Sequence, residues 1–144
     1  MHNVNGGCYC GNICVELQLT AEPATYRPRA CDCDFCCKHG AVYVSDARGS
    51  LLIRVQDKSG VSKFRQGNEL ADFLLCRTCG VLVAVLLRSE ESLHGTVNVK
   101  ALENAAAFGA PQTVSPKKLS GDEKVKRWRG VWFSNVKEEA PGRT

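Results

Sequence analysis

Clustered cysteines are the feature of this sequence that points most directly to chemistry. Three short segments hold most of the nine cysteines: Cys8-Tyr9-Cys10, Cys31-Asp32-Cys33-Asp34-Phe35-Cys36 and Cys76-Arg77-Thr78-Cys79. Cysteine thiolates at such spacings are typical ligands of zinc, which binds protein sulfurs tetrahedrally at about 2.3 Å. The clustered sulfurs divide into four plus three. This division predicts one closed zinc site and one site that lacks a protein ligand.

The first and third clusters predict a structural zinc site, made by Cys8, Cys10, Cys76 and Cys79. In a C-x-C segment both side chains leave the same face of an extended backbone, and in C-x-x-C-G a tight turn brings the two sulfurs together. Gly11 and Gly80 follow these segments and are expected to take a positive φ, where a Cβ would clash. Because the two pairs are distant in sequence, a shared zinc would join the N-terminal strand to a hairpin in mid-chain and stabilise the fold.

The second cluster, Cys31-x-Cys33-x-x-Cys36, is a group of three sulfurs whose fourth ligand the residues leave open. One interpretation closes it into a second structural site with a neighbouring ligand, for which the candidates are Asp34, Cys37 and His39. Cys37 is poorly placed, because adjacent residues rarely reach the same ion without strain. The other interpretation leaves the fourth position to water or a substrate thiol, as catalytic zinc sites do. From the residues alone the two interpretations weigh about equally.

One histidine and two arginines are candidates for substrate binding. His39 follows the second cluster and would act as a general base or a ligand there, with an exposed or capping histidine as the alternative. Arg65 and Arg77 would bind the carboxylates of a peptide-like substrate, because the planar guanidinium suits bidentate contacts with carboxylates. The alternative for both arginines is a solvated position on the surface, which is the commoner outcome.

The composition is that of an ordinary globular chain. The sequence has 144 residues, a hydrophobic fraction of 44% and a formal net charge of +4. Its length predicts one main core, and its mild positive charge favours a small anionic partner over nucleic acid. No apolar run of about 18 residues predicts a membrane span. The N-terminal residues lack the features of a secretion signal, so we expect a cytoplasmic protein whose cysteines bind metal rather than form disulfides.

Short apolar runs separated by turn signals predict a mainly antiparallel β architecture. Residues 12–19 alternate apolar and polar side chains, which predicts a strand with one buried face. Residues 81–87 are almost continuously apolar, which predicts a strand buried on both faces. Further strands are predicted at 41–45, 51–55, 73–75 and 96–99, and a short helix at 101–108.

The last quarter of the chain differs from the rest in composition. It is polar and charged apart from Trp128, Trp132 and Phe133. We therefore expect a zinc-binding domain over residues 1–109 and a C-terminal arm over residues 110–144 that docks by its aromatic side chains. The end of the arm, from about Lys137, is expected to be disordered.

The joint pattern of cysteines and glycines resembles the glutathione-dependent formaldehyde-activating enzyme family, which includes the centromere protein V-like proteins. The resemblance covers roughly residues 5–104. It is carried by Gly7-Cys8-Tyr9-Cys10-Gly11, Cys31-x-Cys33-x-x-Cys36 with Gly40-Ala41, Phe64-Arg65-x-Gly67, and Cys76-x-x-Cys79-Gly80. Two thiols depart from the family pattern. Cys14 is additional, and Cys37 stands where the family usually has a polar or basic residue.

The resemblance implies a β-rich Mss4-like fold in which zinc holds two facing sheets. It also implies a structural zinc on the four cysteines of the first and third clusters, and a catalytic, easily lost zinc on Cys31, Cys33 and Cys36. The implied activity is that of a carbon–sulfur lyase, which interconverts glutathione plus formaldehyde with S-hydroxymethylglutathione or a similar thiol adduct. The alternative is a non-enzymatic zinc module that binds a protein or a nucleic acid. A homo-oligomer is compatible with either function.

Overall fold

A computed structural model of the chain describes residues 1–65 and 70–140. Its strands are β1 His2–Gly7, β2 Ile13–Leu19, β3 Arg29–Cys31, β4 Val42–Val44, β5 Ser50–Val55, β6 Val61–Phe64, β7 Asp72–Cys76, β8 Leu82–Arg88, β9 Leu93–Asn98, β10 Gln112–Val114 and β11 Asn135–Glu139. The α-helices are α1 Asp34–His39 and α2 Gly121–Val131. Short 3-10 turns lie at Pro23–Thr25, Lys58–Gly60, Val99–Ala101, Ala105–Ala107 and Pro116–Lys118. Within these described residues, no helix is long and apolar enough to cross a membrane.

The strands form two sheets. A four-stranded sheet has the order β1-β2-β5-β11, and a seven-stranded sheet has the order β10-β3-β4-β9-β8-β7-β6. Neighbouring strands are antiparallel except for two pairs, β10 with β3 and β11 with β5, which are parallel. The mainly antiparallel β architecture predicted from the sequence is therefore confirmed.

The main core lies between the two sheets. The alternation in β2 buries Ile13, Val15, Leu17 and Leu19, as the sequence predicts. These side chains pack in one cluster with Val97 and other residues of the seven-stranded sheet. Strand β8 is buried along its length up to Arg88, because its second face is covered as well. The predicted burial of this strand on both faces is confirmed.

A second core lies on the outer face of the seven-stranded sheet, under the last helix. Trp132, directly after α2, is buried there against a row of sheet residues. The strand register builds this row: Phe73 lies opposite Val85, and Val85 lies opposite Thr96. Residues directly opposite each other on neighbouring strands share a face of the sheet. The outer face of the seven-stranded sheet, which does not contact the four-stranded sheet, can therefore form the wall of a binding site.

The C-terminal arm is more ordered than the sequence suggests. It supplies β10 to one sheet and β11 to the other, so residues 137–139 pair with β5 rather than being disordered. Their backbone hydrogen bonds complete the edge of the sheet, which composition alone does not reveal. Phe133 is fully buried between the sheets, in line with docking by aromatic residues. Residues 141–144 lie outside the described residues, and the domain boundary at residue 109 stays a prediction.

The helix predicted at 101–108 takes a shorter form. The structure has single 3-10 turns at Val99–Ala101 and Ala105–Ala107 in place of one continuous helix. Asn98 caps the first turn by accepting a hydrogen bond from the Lys100 backbone. Glu103 interrupts the segment, because its backbone N–H donates to Asn5 of β1. Tertiary pairing therefore overrides the helix propensity of the alanine run.

Candidate metal centres and the cavity beside them

Four cysteines meet where two hairpins, one from each sheet, come together. Cys8 and Cys10 lie in the turn between β1 and β2, whereas Cys76 and Cys79 lie at the turn between β7 and β8. Their sulfurs all lie within 4.8 Å of one another. The Sγ atoms of Cys8 and Cys10 are 3.8 Å apart, and those of Cys10 and Cys76 are 3.5 Å apart. Tetrahedral ligands at zinc–sulfur distances place sulfurs about 3.8 Å apart, so this donor set fits a zinc ion.

Local backbone geometry points these sulfurs inward. The backbone N–H of Ile13 donates to the Cys8 sulfur at 3.2 Å, and the N–H of Cys79 donates to the Cys76 sulfur at 3.4 Å. Gly11 and Gly80 have φ values of 88° and 83°, as predicted from their positions after the cysteines. A side chain at either position would strain the turn that sets the distance between the sulfurs.

Protonation in this cluster is divided unevenly among the thiols. Desolvation opposes ionisation of Cys79, but backbone hydrogen bonds from Val81 and Cys10 overcome it and lower the pKa of its thiol to about 6. Cys10 receives a backbone hydrogen bond from Asn12, which lowers its pKa. Hydrogen bonds with Cys76, Cys8 and Cys79 and the effect of desolvation together outweigh it and raise the pKa of Cys10 to about 11. A metal ion on these sulfurs would therefore have to displace protons, which makes binding depend on pH.

The second cluster lies at the start of α1, on the other side of the seven-stranded sheet from the main core. Cys31 ends β3, Cys33 caps α1 by accepting from the Cys36 backbone N–H, and Cys36 lies one turn later. Their sulfurs also lie within 4.8 Å of one another. The Cys36 thiol donates to Cys31 and lowers the pKa of Cys31 to about 6. The buried hydroxyl of Tyr43 lies 3.2 Å from the Cys36 sulfur.

No fourth protein ligand joins the three sulfurs within the described residues. Asp34 is exposed, and the exposed Cys37 directs its sulfur toward the carbonyl of Cys31 at 3.8 Å. His39 is exposed at the end of α1, and its ring packs on Phe35 with centroids 4.7 Å apart. The geometry therefore favours the open three-sulfur arrangement over a second closed site.

A cavity of about 310 Å³ adjoins this open cluster, and Cys31 and Cys33 form part of its wall. Three cationic residues line it: Arg29, Lys117 and Lys124. Its apolar wall is provided by Phe73, Val85, Trp128 and Trp132. The two tryptophan rings stack on each other with centroids 4.8 Å apart. Burial lowers the pKa of Arg29 to about 10, and the nearby charge of Arg127 acts in the same direction.

The C-terminal arm closes one side of this cavity. Strand β10 pairs with β3 so that Val114 lies opposite Cys31. The Ser115 hydroxyl then donates to the carboxylate of Asp32, between two of the clustered cysteines. The arm is thus attached directly to the cysteine segment.

The residues predicted to bind substrate lie outside this cavity. Arg77 is exposed between Cys76 and Cys79 at the first metal centre, and Arg65 forms an ion pair with Asp72 at 2.6 Å. Neither these arginines nor His39 line the cavity, so their substrate-binding role stays a prediction. Gly67, which contributes to the family pattern, lies outside the described residues.

Sequence reasoning did not identify Arg29 or Tyr43 as site residues. Arg29 lies two positions before Cys31, and in a strand residues two apart share a face. This spacing of two residues is the sequence feature that could have placed Arg29 beside the cluster. Tyr43 lies opposite Arg29 across the β3–β4 pair, a relationship that the sequence does not show.

Comparisons with solved structures and with protein families agree with this geometry, whereas a comparison with curated proteins found nothing. A crystal structure of a Rhodobacter sphaeroides protein superposes with a TM-score of 0.58 at 27% identity, over 76% of this chain and 99% of that one. The profile of the glutathione-dependent formaldehyde-activating enzyme family matches residues 3–119, which include both cysteine centres. With its two facing sheets in the Mss4-like arrangement of that family, the chain belongs to the glutathione-dependent formaldehyde-activating enzymes.

Proposed function

We propose that this protein is a zinc-dependent carbon–sulfur lyase that interconverts glutathione plus formaldehyde with S-hydroxymethylglutathione or a similar thiol adduct. The observation that carries the proposal is the contrast between the two metal centres. The first has four sulfurs and is closed by protein ligands. The second has three sulfurs beside a cavity, which leaves room for a thiol. In this proposal the first zinc is structural, and the second is catalytic and more easily lost.

The second centre needs few groups to carry out the reaction. A zinc ion bound there supplies a coordination position that holds a thiol as its thiolate at neutral pH. Cys31, Cys33 and Cys36 would provide the thiolate ligands, and the Tyr43 hydroxyl would donate to the Cys36 sulfur and orient it. In the forward direction the substrate sulfur attacks the formaldehyde carbon. A carbon–sulfur bond forms, the thiol proton is released, and the carbonyl oxygen takes up a proton to become the hydroxyl group.

The surroundings of the cluster support a thiol ligand. The apolar wall lowers the local dielectric constant, so electrostatic contacts beside it are stronger than in bulk water. The cationic residues attract an anionic thiol such as glutathione. Because clustered thiolates need reducing conditions, we propose that the reaction takes place in the cytoplasm.

The test is the rate of exchange between free glutathione and S-hydroxymethylglutathione, followed by NMR at equilibrium with formaldehyde. Zinc-loaded protein should accelerate the exchange, and Cys33→Ala should abolish the acceleration while keeping the zinc of the first centre. Cys37→Ser is the matched control, because this exposed thiol is adjacent to the cluster but not part of it. No acceleration by fully loaded protein would reject the proposed reaction and favour a non-enzymatic zinc module.

A further inference from the structure

Arg29 is a partly buried cation that lacks an acidic partner. Its Nη2 group donates to the hydroxyls of Ser45 and Thr96, both at 2.9 Å. Both partners are neutral. A guanidinium has five N–H groups, and those on Nε and Nη1 have no partner among the described residues. A buried charge of this kind is stabilised strongly when an anion approaches it.

Apart from the thiols of the open cluster, the charged side chains that line the cavity are all positive. Its lining includes Arg29, Lys117 and Lys124, and it includes no acidic side chain among the described residues. Arg127 adds a further positive charge near Arg29. A carboxylate would be attracted to Arg29 and the two lysines, whereas an ammonium group would find no carboxylate in the lining to offset their charge.

The position of Arg29 relates it directly to the open cluster. Arg29 and Cys31 are two residues apart on β3, so their side chains leave the same face about 7 Å apart. A few carbon atoms span that distance between a sulfur at the cluster and a carboxylate at Arg29. Tyr43 lies across the strand pair from Arg29 and lines the same cavity.

Half of the apolar wall, the two tryptophans, comes from a part of the chain that the family profile does not cover. Trp128 and Trp132 belong to α2 and its C-terminal end, beyond the matched residues 3–119. They line the same cavity as Arg29. The stacked indoles therefore come from a segment that the family profile does not describe.

We infer that this site takes an anionic thiol or its aldehyde adduct, with the carboxylate bound by Arg29 and the carbon chain packed against Trp128 and Trp132. The inference rests on the proposed function in placing the substrate sulfur at the open cluster. It goes further by assigning the residue that selects the substrate's charge. Arg29 acts as a binding residue, and it does not take part in bond formation.

Binding can be measured without an activity assay. The chain has two tryptophans, and both line the cavity, so intrinsic fluorescence reports its occupation. Zinc-loaded protein is titrated with 3-mercaptopropionate, its methyl ester and cysteamine, which present the same thiol with negative, neutral and positive charge. Zinc content is measured after each titration. The acid should bind at least about tenfold more tightly than the ester, and cysteamine most weakly. Equal affinities would overturn the inference.

Variants then assign the preference to one residue. Arg29→Gln should remove most of the preference for the acid over the ester, and Arg29→Lys should keep part of it. Arg48→Gln is the matched control, because it makes the same change in net charge at an exposed position outside the cavity lining. A preference that survives in Arg29→Gln would overturn the assignment. If that variant does not fold, an unchanged preference in Arg29→Lys would overturn it, because an ammonium cannot reproduce the bidentate contact.

The two proposals can fail separately. Absence of glutathione exchange together with a strong preference for the acid would reject the proposed reaction and support the charge selection by Arg29. Catalysed exchange together with equal binding of acid and ester would support the reaction and reject the charge selection.

Discussion

The hydroxyl of Tyr43 lies 3.2 Å from the sulfur of Cys36 and connects the open cysteine cluster to the seven-stranded sheet. Both residues are buried, and burial raises the pKa of Tyr43, which therefore stays protonated and able to donate. Donation to a thiolate ligand orients it and tunes its bond to the metal. Through this contact, a residue of strand β4 can affect how strongly the open cluster binds a metal ion.

Tyr43→Phe should weaken zinc binding at the open centre by about tenfold, since partners of metal ligands typically contribute 10- to 100-fold. Competition with a chromophoric chelator measures this affinity. Tyr26→Phe is the control, because the Tyr26 hydroxyl donates to Asp46, away from both cysteine clusters. Identical zinc affinities for the two variants would show that Tyr43 does not support the metal site.

Cys79→Ala and Cys31→Ala should differ in their effect on stability. Cys79 belongs to the centre that joins hairpins of the two sheets, so its loss should lower the free energy of unfolding by about 3 kcal/mol or more. Cys31→Ala should lower it by about 1 kcal/mol and remove the labile zinc. Thermal unfolding with metal analysis distinguishes the two. Equal destabilisation would contradict the division into structural and catalytic centres.

The lowered pKa of Asp46 predicts that the stability of the fold depends on pH. Partial burial opposes ionisation, but hydrogen bonds from Thr20 and Tyr26 prevail and lower the pKa of Asp46 from 3.8 to about 2. A lowered pKa in the folded state means that the stabilisation is complete above pH 3.8 and is lost as the pH falls toward 2. Asp46→Asn should thus destabilise the fold by about 1 kcal/mol, after allowance for solvent screening.

The measurement for Asp46 is urea unfolding of wild type and Asp46→Asn at several pH values. Their difference in unfolding free energy should be constant between pH 7 and pH 5 and should shrink between pH 4 and pH 3. A difference that already falls between pH 7 and pH 5 would assign the effect to another group. Taking the difference cancels the effect of acid on a metal ion bound by the cysteines, because that effect would be the same in both proteins.

Ser120→Ala should loosen the helix that carries the tryptophan wall. Ser120 and Glu123 form a capping box at the start of α2, in which each side chain accepts from the backbone of the other. Loss of the serine should destabilise the helix by about 1 kcal/mol. We expect faster hydrogen exchange in α2 and weaker binding of 3-mercaptopropionate. Ser134→Ala, on the exposed loop before β11, is the control.

The sequence by itself identified the two groups of cysteines that could bind metal and the class of fold. Cysteine spacing is a local property, and the pairs Cys8–Cys10 and Cys76–Cys79 could be assigned to one centre because each pair supplies two ligands. Periodicity identified β2, because alternation along a half-buried strand depends on near neighbours. The positive φ of Gly11 and Gly80 followed from the tight turns that these motifs require.

The tertiary structure decided which groups surround the open cluster. Arg29 and Tyr43 meet because β3 pairs with β4, and the tryptophans arrive from a helix about 100 residues later in the chain. Strand pairing between distant segments is set by the total packing of the two sheets, which no short window of sequence contains. For the same reason the arm that composition describes as polar supplies an edge strand to each sheet. The cysteines supply the two groups of sulfurs, and the long-range pairing supplies the cavity that adjoins one of them.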